Sequence, residues 1–89
     1  MAALPYMQLY VADYLADTMH LNAEEHGAYL LLLMNYWQTG KPLKDDDMRL
    51  QCVCKANADQ WQRIRPTLEE FFTIEDGVWK HNRIEKDLE

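Results

Sequence analysis

The sequence predicts a mainly α, winged-helix-like single domain spanning residues 1–89. Three observations carry that expectation. Two capping-box patterns, Asn22-Ala23-Glu24-Glu25 and Asn57-Ala58-Asp59-Gln60, each open an apolar-periodic stretch, and such boxes satisfy the free N–H groups of a helix start. A three-residue link, Lys55-Ala56-Asn57, joins two short helical stretches, the spacing of a helix-turn-helix. Asp76-Gly77 then separates two β-prone runs, which signals a tight hairpin and, in this position, a wing.

The elements follow in order. Leu4 to Val11 holds aromatic and β-branched residues behind Pro5 and is expected to be extended. Asp13 to Thr18 is expected to form one helical turn with Tyr14 and Leu15 turned inward. The central helix runs from about Ala23 to Gln38 and stops at Thr39-Gly40, with Pro42 beyond. Its two stripes, Tyr29, Leu33, Tyr36 and Leu30, Met34, Trp37, predict burial over most of its circumference.

A second helix starts in Asp45-Asp46-Asp47, whose carboxylates cap free N–H groups and complement the helix dipole. Met48, Leu50, Val53 and Cys54 make its buried face, and it ends near Lys55-Ala56. The third helix begins at Ala58 and turns Trp61, Ile64 and Leu68 to the core. Pro66 lacks an N–H and biases Arg65 away from the helical region, so a kink or restart is expected there. Phe71 to His81 forms the hairpin. Asn82 to Glu89 reads as a helical tail that buries Ile84 and Leu88 and stops abruptly in charges, as a domain trimmed from a longer protein would.

Composition removes several classes. The 89 residues are 48% hydrophobic and 27% charged, with 3 Gly and 3 Pro, the profile of a folded chain rather than a disordered one. There is no serine, hence no serine nucleophile. Cys52 and Cys54 are too close in sequence to bridge without strain, which fits a reducing cytosol. Met1 to Leu4 is no signal peptide. The longest apolar run, Ala28 to Met34, is far below the roughly 20 residues that span a bilayer. A soluble, cytoplasmic protein of a bacterial host cell with no membrane partner is expected.

Charge divides the chain. Nine Lys and Arg stand against fifteen Asp and Glu, a net of −6, which opposes sequence-independent nucleic-acid binding. No Lys or Arg precedes Lys41, whereas Arg49, Lys55, Arg63 and Arg65 face Asp59 alone between Arg49 and Leu68. In a winged helix the helix after the turn offers its polar face to the DNA major groove. Here that face carries Gln60, Gln62, Arg63 and Arg65, types that read adenine and guanine edges. Lys80, His81 and Arg83 fall on or beside the wing, suited to phosphates. DNA is the partner this pattern predicts. Helical domains with a hairpin also dock proteins, and fold alone does not decide.

The residues also carry a resemblance. Pro5 to Thr18, Leu21, Glu24-Glu25-His26-Gly27-Ala28-Tyr29-Leu30-Leu31-Leu32, Tyr36-Trp37, Pro42-Leu43, Asp45-Asp46-Asp47, Trp61, Arg65-Pro66, Leu68 and Phe71-Phe72 resemble the YdaU-type family of prophage-encoded proteins. The likeness spans nearly the whole chain. It implies a domain of unknown function at the N-terminus of phage proteins often encoded beside replication genes. Some members resemble replication initiators or helicase-loader partners with a winged-helix part. The implied context is phage DNA replication or its control, with a phage or host replication protein as a further partner. The resemblance supplies no catalytic residues.

Other constellations point away from chemistry. Three consecutive aspartates on a helix diverge by about 100° each, so capping explains them better than Mg²⁺. Cys52, Cys54, His20 and His26 lack zinc-ligand spacing. His26 has no adjacent nucleophile, and Gly27, outside any Gly-rich motif, reads as a close helix contact. No enzyme, cofactor or metal is expected. The rival function is an acidic adaptor or inhibitor that occupies the basic surface of a nucleic-acid-binding protein. Tyr6, Tyr10 and Tyr14 are read as core or interface residues rather than a base-stacking platform. If they do not fold back fully, they mark an interface, for which a homodimer is the commonest closed solution.

Overall fold

The computed structural model describes residues 6–88. Five helices and a small three-stranded antiparallel sheet are found among them. Their order is α1 (Val11–Asp17), α2 (Ala23–Thr39), β1 (Leu43–Lys44), α3 (Asp47–Val53), α4 (Ala58–Glu69), β2 (Thr73–Glu75), β3 (Val78–Lys80) and α5 (Asn82–Leu88).

Both expected capping boxes are formed. Asn22 Oδ1 accepts from the Glu25 N–H at 2.8 Å while Glu25 Oε1 accepts from the Asn22 N–H at 3.0 Å. Asn57 and Gln60 repeat the exchange at 2.8 Å each way. Gly40 closes α2 in the left-handed region at φ 72°, and its N–H donates to the Tyr36 carbonyl, a conformation that costs glycine nothing. The link into α4 also bends through a left-handed residue, Lys55, at φ 57°.

Sheet order is β1-β3-β2. Asp76 and Gly77 turn the hairpin with positive φ at both positions, as a two-residue turn between twisted strands requires. Leu43 and Ile74 stand opposite Trp79 from either side, so the middle strand presses its tryptophan into the core. Around α2 gather Leu50, Trp61, Ile64, Leu68, Trp79 and Ile84, all buried. The seven largest fully buried side chains include Trp61, Trp79 and Tyr36, and each removes a large apolar area from water.

The structure corrects several expectations. Residues 6–10 form no strand, and Val11 already belongs to α1; Leu4 and Pro5 lie outside the described residues. Tyr14 turns inward, but Leu15 is 56% exposed because nothing packs on its side of α1. The second stripe of α2 is incomplete: Trp37 is buried, Leu30 half-buried and Met34 exposed. On α3, Met48 points to solvent at 71% exposure, leaving Leu50 and Cys54 as the buried face. Helix α4 runs through Pro66 without a break. The carbonyl left without its N–H belongs to Gln62, a residue exposed to water that can solvate it. Gly27 makes no close contact, since a Cβ there would meet nothing within 4 Å. Strand β1 was not expected at all.

Candidate functional site

The acidic run before α3 does more than cap. Asp46 alone caps, accepting from the N–H groups of Met48 and Arg49 at 3.0 and 3.3 Å. Asp45 Oδ1 instead accepts from Trp79 Nε1 at 2.9 Å, and Asp47 Oδ1 from Trp61 Nε1 at 2.8 Å. Both indoles are fully buried, and a buried indole N–H needs an acceptor. Arg65 lies between the two carboxylates. Its guanidinium binds Asp45 at 3.0 Å, Asp47, and Glu69 at 2.6 Å, with the Trp79 ring 5.2 Å from Cζ.

The charges answer accordingly. Burial pushes the Arg65 guanidinium down, but its hydrogen bonds to Glu69 and Asp47 outweigh that and hold it above its ordinary range. Hydrogen bonds from Trp61 and then Arg65 hold the Asp47 carboxyl below its usual value. Two tryptophans, three carboxylates and one arginine thus form a single closed cluster joining α4, β3, the start of α3 and the link before it. Sequence reasoning missed it. The available signal was two tryptophans needing acceptors beside a carboxylate run too long for one cap.

The residues expected to face DNA are distributed unevenly. Gln60 serves the capping box and also reaches Glu24 at 3.2 Å. Arg63 forks onto both oxygens of the same Glu24, at 2.8 and 2.7 Å. Arg65 is consumed by the cluster. Arg83 sits in α5, pairs with Asp13 at 3.3 Å, and has its Cζ 5.2 Å from the Tyr10 ring. Gln62 and Lys80 have no side-chain partner among the described residues. Glu75 and Asp76 are both exposed, so the tip of the hairpin is acidic.

His81 is a structural residue in this geometry. Its Nε2 lies 2.8 Å from the Tyr29 hydroxyl, and its Nδ1 accepts from the Ile84 N–H at 3.4 Å. That acceptor role puts the proton of the neutral ring on Nε2. Its backbone N–H donates to the Tyr36 hydroxyl at 3.2 Å, which in turn donates to Glu85. Burial, and then the charge of Arg83, hold the imidazole below its ordinary pKa. Burial likewise raises the phenols of Tyr29 and Tyr36, and pushes the Cys54 thiol up to about 12. Among the described residues, no group of three or more His, Cys, Asp or Glu is placed to hold a metal ion. No helix there is long and apolar enough to cross a membrane.

The N-terminal face is of another kind. Helix α1 contains no buried residue. Tyr14 anchors it by stacking on Tyr29 with centroids 5.9 Å apart, its own hydroxyl buried without a partner. The Tyr6 carbonyl accepts from Trp37 Nε1 at 2.9 Å, pinning the approach to α1. Tyr6, Leu9, Tyr10, Val11, Leu15 and Met19 are left exposed. Of the three tyrosines read as interface residues, Tyr6 and Tyr10 are therefore open and Tyr14 is half-buried.

The molecule is thus a small, mainly helical fold that pairs the arginines of α4 internally and leaves an apolar face uncovered. Residues 5–89 match the family model described as a protein of unknown function (DUF1376), and the chain belongs to that family. It is 60% identical over 88 residues to the uncharacterized protein YdaU of Escherichia coli (strain K12). The match covers 99% of this chain and 30% of that relative. No solved structure matches the chain.

Proposed function

We propose that the chain is a winged-helix-like protein-docking domain acting in the assembly of phage DNA-replication complexes. The element order from α2 to β3 and the strand order β1-β3-β2 support the winged-helix reading. The replication setting is what the family resemblance implies. One observation carries the docking reading: Tyr6, Leu9, Tyr10, Val11, Leu15 and Met19 are exposed while the arginines of α4 are held by carboxylates. Nucleic-acid binding draws on free positive charge. Apolar patches mark protein contacts.

A second reading, direct DNA contact, rests on Gln62 and Arg63, both on the exposed side of α4. A gel mobility shift at low salt, with single- and double-stranded DNA, separates the two. The docking reading expects no shift for the wild type. A shift abolished by Gln62→Ala with Arg63→Ala overturns it in favour of DNA reading. Arg65 is unsuitable for this test, because its loss disrupts the tryptophan cluster whatever the protein binds.

A further inference from the structure

We propose that the domain associates head to tail, α1 of one copy seating in a groove between α2, β1 and α3 of a second copy. The inference deepens the docking reading and rests on it. Two unpartnered surfaces of one chain match each other in apolar character and charge.

The first surface is the outer arc of α1. At about 100° per residue, Val11 and Leu15 lie on one flank, Ala12 and Ala16 in the middle, and Asp13 and Asp17 on the other flank. Val11 is 59% and Leu15 56% exposed, and Met19 in the following turn is 84% exposed. A helix of seven residues has little stability of its own, and this one buries none of them fully. The small alanines let another backbone approach closely. Asp13 is shared with Arg83, and Asp17 has no ion-pair partner among the described residues.

The second surface is a groove of about 560 Å³ beside β1 and α3. Pro42, Met48 and Val53 line it with apolar surface, and Lys41, Lys44 and Arg49 give it its charge. Lys41 and Lys44 have no ion-pair partner among the described residues. Arg49 has only a loose contact with Asp46, at 3.8 Å. The groove is therefore basic and apolar where α1 is acidic and apolar. No residue of α1 lines it, so one copy can offer both surfaces at once.

The occupant follows from charge. The stretch from residue 1 to 40 contains no Lys or Arg, so an α1-to-α1 contact would bring like charges together. Docking into the groove sets Asp17 and Asp13 against lysines instead, which favours the encounter and excludes the like-charged pairing. The contact joins two different patches, so it propagates into chains or closed rings rather than stopping at a two-fold dimer.

Complementary variants of the 89-residue chain test this by light scattering. Leu15→Asn disables α1 and keeps the groove; Lys44→Glu with Met48→Glu disables the groove and keeps α1. All three positions are exposed, and circular dichroism confirms that each variant is folded. Wild type should show a mass that rises with concentration and falls back with added salt. Each variant alone should associate roughly tenfold more weakly or worse. An equimolar mixture should form a 1:1 pair of twice 10.6 kDa, because one intact α1 meets one intact groove. A wild type that stays monomeric at millimolar concentration overturns self-docking while leaving docking to a different protein untouched. Association of the wild type with no pairing in the mixture places the contact elsewhere and also overturns the proposal.

Discussion

The α4 side and the α1 side of this molecule solve opposite problems. Around α4, the indoles and both arginines have partners: two indoles find carboxylates, the carboxylates find Arg65, and Arg63 finds Glu24. Around α1, the backbone is folded and Tyr14 anchors it, but Val11, Leu15 and Met19 stay exposed. The contrast teaches that charge in a sequence is not charge on a surface. Four bases between residues 49 and 68 read as a basic stretch, yet carboxylates from α2 and from the link before α3 neutralise two of them. The exposed apolar surface of residues 6–19 lies instead in the part of the chain that carries no base at all.

The sharpest way to break the comparison is to open the α4 cluster. Arg65→Ala leaves Asp45 and Asp47 facing one another without their cation, and should cost about 2–3 kcal/mol in urea unfolding. Arg65→Lys should recover only part of this, because one ammonium cannot reproduce the fork that spans three carboxylates. Recovery to wild-type stability by lysine would show that the cluster needs charge and not geometry.

A smaller effect should appear with pH at the junction between the two sides. His81 is held below its unfolded pKa of about 6.5, so between the two values the unfolded chain binds more protons than the folded one. Its contribution to stability is complete above about pH 6.5 and declines as pH falls toward the folded value. Protonation also removes the acceptor that Nδ1 offers to the Ile84 N–H. Asp17 and Asp87 oppose the shift, and Arg83 reinforces it. In His81→Gln, the part of the pH dependence near 6 should flatten; an unchanged profile assigns it to other groups.

The smallest effect belongs to α1. Leu15→Asn removes an apolar side chain that touches little in its own molecule, so monomer stability should move by no more than about 0.5 kcal/mol. A loss beyond about 2 kcal/mol would mean that Leu15 is buried in solution.

What the sequence disclosed was local, and what it concealed was tertiary. The boxes at Asn22 and Asn57, the stop at Gly40 and the Asp76-Gly77 turn are written in neighbouring residues, so α2, α4 and the hairpin were legible. The inward faces of α4 and α5 were legible too, because Trp61, Ile64, Leu68 and Ile84 are the apolar residues available there. Leu15, Met34 and Met48 were misplaced for one shared reason. Periodicity says which side of a helix is apolar, not whether anything lies against that side. Strand β1 has two residues, too few for any period, and exists only because Trp79 stands opposite Leu43. The second task of the aspartates was hidden because Asp45 meets Trp79 across 34 residues of sequence.

All three tryptophans, Trp37, Trp61 and Trp79, lie in the core, and two of them donate to a carboxylate. Intrinsic fluorescence excited at the indoles is therefore mainly an internal signal: Trp61 and Trp79 follow the opening of the cluster, and Trp37 alone touches the N-terminal segment, through the Tyr6 carbonyl. The surface that carries the proposed docking reports instead through Tyr6 and Tyr10, whose weaker emission the indoles normally mask. A single tryptophan placed at Leu9 in a chain lacking the native indoles is no remedy, since removing them dismantles the core. An extrinsic dye on the exposed thiol of Cys52, which lines the receiving groove, gives the optical handle that the protein's own chromophores withhold.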